Sequence, residues 1–145
     1  MKYFFFFLIL FDPITAQVTK LGASVDYLSR YIASKEFAEL KIKINDYRQM
    51  DLIYEKALEE SDGDISNALF TLTFTAIPYD YIPVVSPVFK ILINVPLPHS
   101  VDSIFNLKNK NLPKNLFYDT PQNEFGDKDK LAHFFGSAYL SYSSS

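Results

Sequence analysis

Within "GDKDKLAHFFGSAYLSYSSS", residues 126–145, Asp129, His133 and Ser137 recur at four-residue intervals. At 3.6 residues per turn they share one face of a helix, on adjacent turns, with Leu140 or Ser141 continuing it. A carboxylate, an imidazole and a hydroxyl are the parts of a hydrolytic triad, in which the carboxylate orients the ring and the ring takes the serine's proton. That chemistry also needs an oxyanion pocket, and positions on one straight helix offer no obvious one. A serine in mid-helix also tends to bond the carbonyl four residues back.

Metal binding is the second chemistry this spacing suggests, since an Asp and a His at i and i+4 can share a ligand sphere. Zinc wants three or four ligands, and the remaining candidates, His99, Asp102 and scattered carboxylates, have no recognisable spacing. No cofactor is expected. A structural reading needs fewer parts: Asp129 caps the helix, His133 hydrogen-bonds inward, and Gly136, Ser137 and Ala138 let another helix come close. A second cluster, His99, Ser100, Asp102 and Ser103 in "PLPHSVDS", is explained by local capping, with Ser100 starting a helical turn and Asp102 near its positive end.

The residues Asp129, Lys130, His133, Phe134, Ser137, Ala138, Leu140 and Ser141 spell DKxxHFxxSAxLS, which resembles the signature of the YfiM-like envelope lipoproteins, a family of uncharacterised activity. The shorter DKxxHF also resembles the VanZ-like membrane proteins. The resemblance spans residues 129–141 and implies an exported, membrane-associated helical protein. The chain departs from the lipoprotein pattern in two ways. It has no cysteine to carry a lipid, and the sequence stops at "SYSSS" where that family has further helices, so lipid anchoring is not implied.

These residues must be positioned by the rest of a 145-residue chain, at most one ordinary domain, with 48% apolar residues available for a core. Fourteen Phe and ten Tyr without a Trp suit an envelope or membrane-interface protein. Fourteen basic against seventeen acidic residues leave no basic field for a phosphate backbone, so nucleic acid is not an expected partner. The absence of cysteine excludes disulfides, a thiolate nucleophile and Cys-ligated metal. Residues 1–16 read as a signal peptide: a Lys2 start, an apolar run Tyr3 to Phe11 and a turn-like exit at Ala16. A run that short does not span a bilayer, so removal near Ala16 is expected rather than anchoring.

Residues 17–77 read as helical. Val18, Leu21, Val25, Leu28 and Ile32 form one apolar stripe; Phe37, Leu40, Ile44, Tyr47, Met50, Tyr54 and Leu58 form another, placing a helix over Asp46 to Glu60. "KIKIN" is equally readable as a short strand. "SDGD" is a turn in which Gly63 is the only residue free to take positive φ and Asp62 or Asp64 caps the next segment. It is not a calcium loop, because counting from Asp62 the Gly and Glu positions hold Asn67 and Thr73. "ISNALFTLTFTAI" carries both a helical stripe and a Thr-alternating strand pattern, and a buried helix is favoured. In residues 78–126, prolines at 78, 83, 87, 96 and 98 enforce extended edge structure. There "VFKILINV" is a short strand, or an apolar strip on a membrane or partner. Ser100 to Leu107 reads as one or two helical turns, and the stretch after it as loop.

The expected protein is mainly α: a small helical domain with a proline-rich extended segment and a C-terminal motif helix over residues 127–145. That helix reaches Ser145 with no stop signal, the pattern of a truncated chain, and if a continuation supplies the partner helix, Gly136 and Ser137 face nothing here. The function class expected is an exported protein of the periplasm or outer membrane, membrane-associated and working through interaction with membrane or an envelope protein. The alternative is an envelope hydrolase or metal-dependent enzyme using Asp129, His133 and Ser137.

Overall fold

The computed structural model describes residues 20–86 and 89–144; the signal-peptide segment and Val18 lie outside the described residues. The protein is mainly α-helical. Helix α1 covers residues 20–33, followed by α2 (Lys35–Leu40), α3 (Asp46–Glu60) and α4 (Ile65–Ala76). Strands β1 (Tyr81–Val85) and β2 (Leu92–Pro96) interrupt the helices before α5 (Asp102–Asn111) and α6 (Lys128–Ser143).

Side-chain caps start three of these helices: Ser34 accepts from Phe37 N, Asn45 from Arg48 N, and Asp64 from Asn67 N. Each satisfies an NH that the first turn cannot pair internally. At the α3–α4 corner Gly63 N donates to Leu58 O at 2.8 Å, and Asp62 as well as Gly63 takes positive φ, 52° and 82°. The expectation that only Gly63 would do so is corrected; an aspartate tolerates the left-handed region better than most residues.

The core runs through one face of α1, α2, α3, α4 and α6: Leu28 and Ile32, Phe37, Ile53 and Ala57, Ala68, Leu69, Leu72 and Ala76, then Leu131, Ala132 and Phe135. Burial of each large aliphatic side chain stabilises by about 1.5–3 kcal/mol. The α1 stripe faces the core as expected. Helix α3 has the expected bounds but a different buried face, since Gln49, Ile53 and Ala57 lie inward while Tyr47 is exposed and Met50, Tyr54 and Leu58 are only partly covered. Gln49 turns in because its amide donates to the carbonyls of Lys41 and Ile44, closing the turn where "KIKIN" was readable as a strand.

The helix reading of "ISNALFTLTFTAI" holds. Thr73 and Thr75 donate their hydroxyls to the carbonyls of Leu69 and Thr71, four residues back, so threonine fits an apolar helix without an unpaired polar group. Pro78 ends α4 by pushing Ile77 to extended ψ. Beyond it the two strands pair antiparallel, Tyr81 with Pro96 through Val85 with Leu92. Their base is pinned where Leu97 N donates to Asp80 O at 2.8 Å. Every residue of both strands is exposed.

Candidate functional site

Helix α6 lies antiparallel against α4, with Ser66 and Ser143 hydroxyls 3.1 Å apart at one end. Gly136 sits at the crossing: a Cβ there would meet Thr73 Cγ2 at 3.4 Å. The small residue therefore admits α4, a helix from within the chain, so Gly136 already faces a partner. Ala138 packs on the core as well, whereas Ser137 is exposed.

The structure moves the cap. Asp127, not Asp129, is the N-cap residue of α6, because Gly126 ends the preceding loop with φ +56° and a Cβ at that glycine would collide with the Lys114 carbonyl. Asp129 falls in the first turn, out in solvent. Asp127 uses its carboxylate backward instead of on its own helix. Its Oδ2 accepts from Leu116 N at 2.8 Å, Phe117 N at 2.9 Å and the Thr120 hydroxyl, while Oδ1 lies 3.4 Å from Lys130 Nζ. The side chain is fully buried. Burial by itself would raise its pKa, but the bonds from Thr120, Phe117 and Leu116, with Lys130, hold the carboxyl below the ordinary aspartate value. Lys130 of the motif is thus a structural cation, bonded also to Asp119 at 2.6 Å.

His133 does not turn inward. Its Nε2 lies 3.8 Å from Asp129 Oδ2, and the two side chains are 82% and 65% exposed. The ring opens into a groove of about 1040 Å³ formed by α4, α6 and the start of β1. Asp129, His133 and Ser137 share its α6 wall, so the structure gathers the three residues on one surface. Facing them are Phe70, Phe74 and Ile77 of the α4 side and Tyr81 and Ile82 of β1. Phe70 stacks on Tyr139 with centroids 4.6 Å apart, building a continuous aromatic lining across both helices. Phe134 points away from this groove and remains exposed, edge-on to Phe135.

The second cluster does not assemble. Ser100 donates its hydroxyl to Asp26 Oδ1 at 2.6 Å, tying the start of α5 to α1, and Val101 is the cap residue of a helix longer than the turns expected. His99 Nδ1 donates to the Ser100 carbonyl at 2.6 Å, and its ring meets Phe105 edge-on. Among the described residues no group of three or more His, Cys, Asp or Glu could hold a metal ion.

Sequence reasoning missed Asp127 and also Lys108. The Lys108 ammonium is buried under the end of α4, where it donates to Thr75 O at 2.9 Å and Ile77 O at 3.0 Å and lies 4.6 Å from the Phe105 ring centre. Burial, with Lys128 nearby, pulls its pKa down to about 7. Gly126 was the local signal for Asp127, since a glycine at the end of a loop places the helix start just after it. Lys108 had no local signal, being more than thirty residues from the carbonyls it serves.

No protein-family model, no curated protein and no solved structure matches this chain. No helix among the described residues is long and apolar enough to cross a membrane.

Proposed function

We propose that the protein is an exported component of the cell envelope that attaches to a membrane surface through its hairpin and acts by interaction rather than turnover, in the periplasm or at the inner face of the outer membrane. The observation that carries this reading is the β1–β2 ribbon. Ile82, Val84, Val85, Leu92, Ile93 and Val95 are all exposed on it, and Phe89 and Ile91 extend the apolar surface toward the tip. A two-stranded ribbon is at best marginal in water, and an exposed apolar patch of this kind usually marks a contact surface. A lipid interface accepts such side chains on both faces of a ribbon, and the many tyrosines suit the interfacial layer. The apolar run before Ala16 supports export.

Flotation with phosphatidylcholine vesicles tests attachment. The protein is expected to float with the vesicles in high salt, and the paired substitutions Val84→Asp and Ile93→Asp, at facing positions of the ribbon, are expected to release it. A wild-type protein left at the bottom of the gradient removes the membrane part of the proposal. Cell fractionation with N-terminal sequencing tests export: an envelope protein beginning near Gln17 is expected, and a cytosolic one retaining Met1 contradicts it.

A hydrolase using Asp129, His133 and Ser137 is the second reading, favoured by the solvent-open ring beside an apolar groove. Hydrolysis of an activated ester that disappears in both His133→Gln and Asp129→Asn, with fold and flotation intact, would establish it in place of the first.

A further inference from the structure

The α4–α6–β1 groove shares Tyr81 and Ile82 with the ribbon as one wall, and its lining has a chemistry of its own. Its volume, about 1040 Å³, is at the upper end of the range for small-molecule sites. Most of its surface is aromatic or aliphatic. The charged groups that line it are the carboxylates of Asp80 and Asp129, and no Lys or Arg is among its lining residues. Lys130, next to Asp129 in sequence, is turned away onto Asp119 and Asp127. His133 Nε2 lies 3.8 Å from Asp129 Oδ2, and no Lys or Arg pairs with the Asp80 carboxylate among the described residues.

A largely apolar groove whose only acidic lining groups are two carboxylates distinguishes ligands by the charge of their head group. An anionic head would meet two carboxylates without a compensating cation, which costs affinity through like-charge repulsion. A cationic head gains from the carboxylates, and the aromatic rings of Tyr79 and Tyr81 among the lining residues can add attraction for an ammonium through the ring quadrupole. The tail can lie on Phe70, Phe74 and Leu140, where burial of its methylenes adds affinity.

We infer that the groove binds a single-tailed amphiphile with a positively charged amine head, its tail along the α4–α6 seam and its head at Asp80 and Asp129. This rests on the groove alone and not on attachment through the ribbon.

Calorimetric titration of the full-length protein tests it, with dodecyltrimethylammonium, dodecyl maltoside and dodecyl sulfate as probes, each below its micelle concentration. Saturable binding of one equivalent is expected, tightest for the ammonium. Asp80→Asn with Asp129→Asn should weaken the ammonium about tenfold and leave the maltoside unchanged, since both side chains are exposed and the core does not depend on them. Circular dichroism of the double variant checks that the helices remain. Equal or tighter binding of the sulfate, an unchanged ammonium affinity in the double variant, or no saturable binding overturns the inference. So does a concentration-dependent dimer that blocks every probe, which would make a second copy the occupant. Vesicle flotation that survives any of these failures leaves the attachment proposal standing, so the two can fail separately.

Discussion

At the scale of single residues, Asp127 is the most consequential side chain in the motif segment, because one carboxylate fixes the loop before α6 through two backbone NH groups and a hydroxyl. Asp127→Asn replaces an anionic acceptor with a neutral amide whose NH2 can face those donors, and is expected to lower stability by about 2 kcal/mol in urea denaturation. The pH dependence has a definite sign. The folded carboxyl titrates below the unfolded one, so its contribution is complete above pH about 4 and is lost as pH falls through the lower folded value. The Asn variant should therefore lose less stability than the wild type as pH falls below about 4; parallel acid profiles would show that Asp127 does not supply this dependence. Asp127 and Asp129 stand two residues apart, and either could start the helix on local propensity. What selects Asp127 is the contact of Gly126 with Lys114, a pairing across the loop that a residue-by-residue reading does not contain.

At the scale of elements, the same limit appears wherever a helix is finished by something remote. The bounds of α3 were legible because a periodic stripe and an asparagine cap lie within the segment itself. Its buried face was not, because Gln49 reads as polar until the carbonyls of Lys41 and Ile44 are brought to it. Helix α4 has no basic residue in its last turn, and its terminal carbonyls are served by Lys108 from α5. Lys108→Met leaves Thr75 O and Ile77 O without that donor and is expected to cost about 2 kcal/mol at pH 7. The wild type carries a further signature. Its folded lysine titrates near 7 against an ordinary 10.5, so between those values the unfolded chain holds the extra proton and stability rises with pH. A neutral amine still has two protons for the two carbonyls. Denaturation at pH about 7 and about 9.5 should show that rise in the wild type and not in the Met variant; equal slopes would contradict it.

At the scale of the whole molecule, the protein divides into a helical unit and a ribbon projecting from it. The proline spacing made the extended character of the two strands, Tyr81–Val85 and Leu92–Pro96, readable, but not their pairing, since register depends on which residues meet across the turn. None of the strand residues belongs to the hydrophobic core. The chain leaves and returns at adjacent positions, Asp80 and Leu97. Replacing residues 81–96 by a short Gly-Ser link should therefore keep the helical circular dichroism and change unfolding free energy by less than about 1 kcal/mol, because closing so small a gap costs little chain entropy. A loss well beyond that would mean the ribbon supports the helices. The same truncation removes Tyr81 and Ile82 from the groove wall and should weaken ligand binding there.

That single junction also determines how force travels. A pull on the ribbon's tip is carried by both strands side by side, along their length rather than across the rungs, so tension arrives at the Asp80–Leu97 pair with the ladder still closed. From there it passes into the end of α4, which the buried Lys108 clamps to α5. Whatever holds the tip thus tugs on a tow-bar whose root is the Lys108 clamp between α4 and α5.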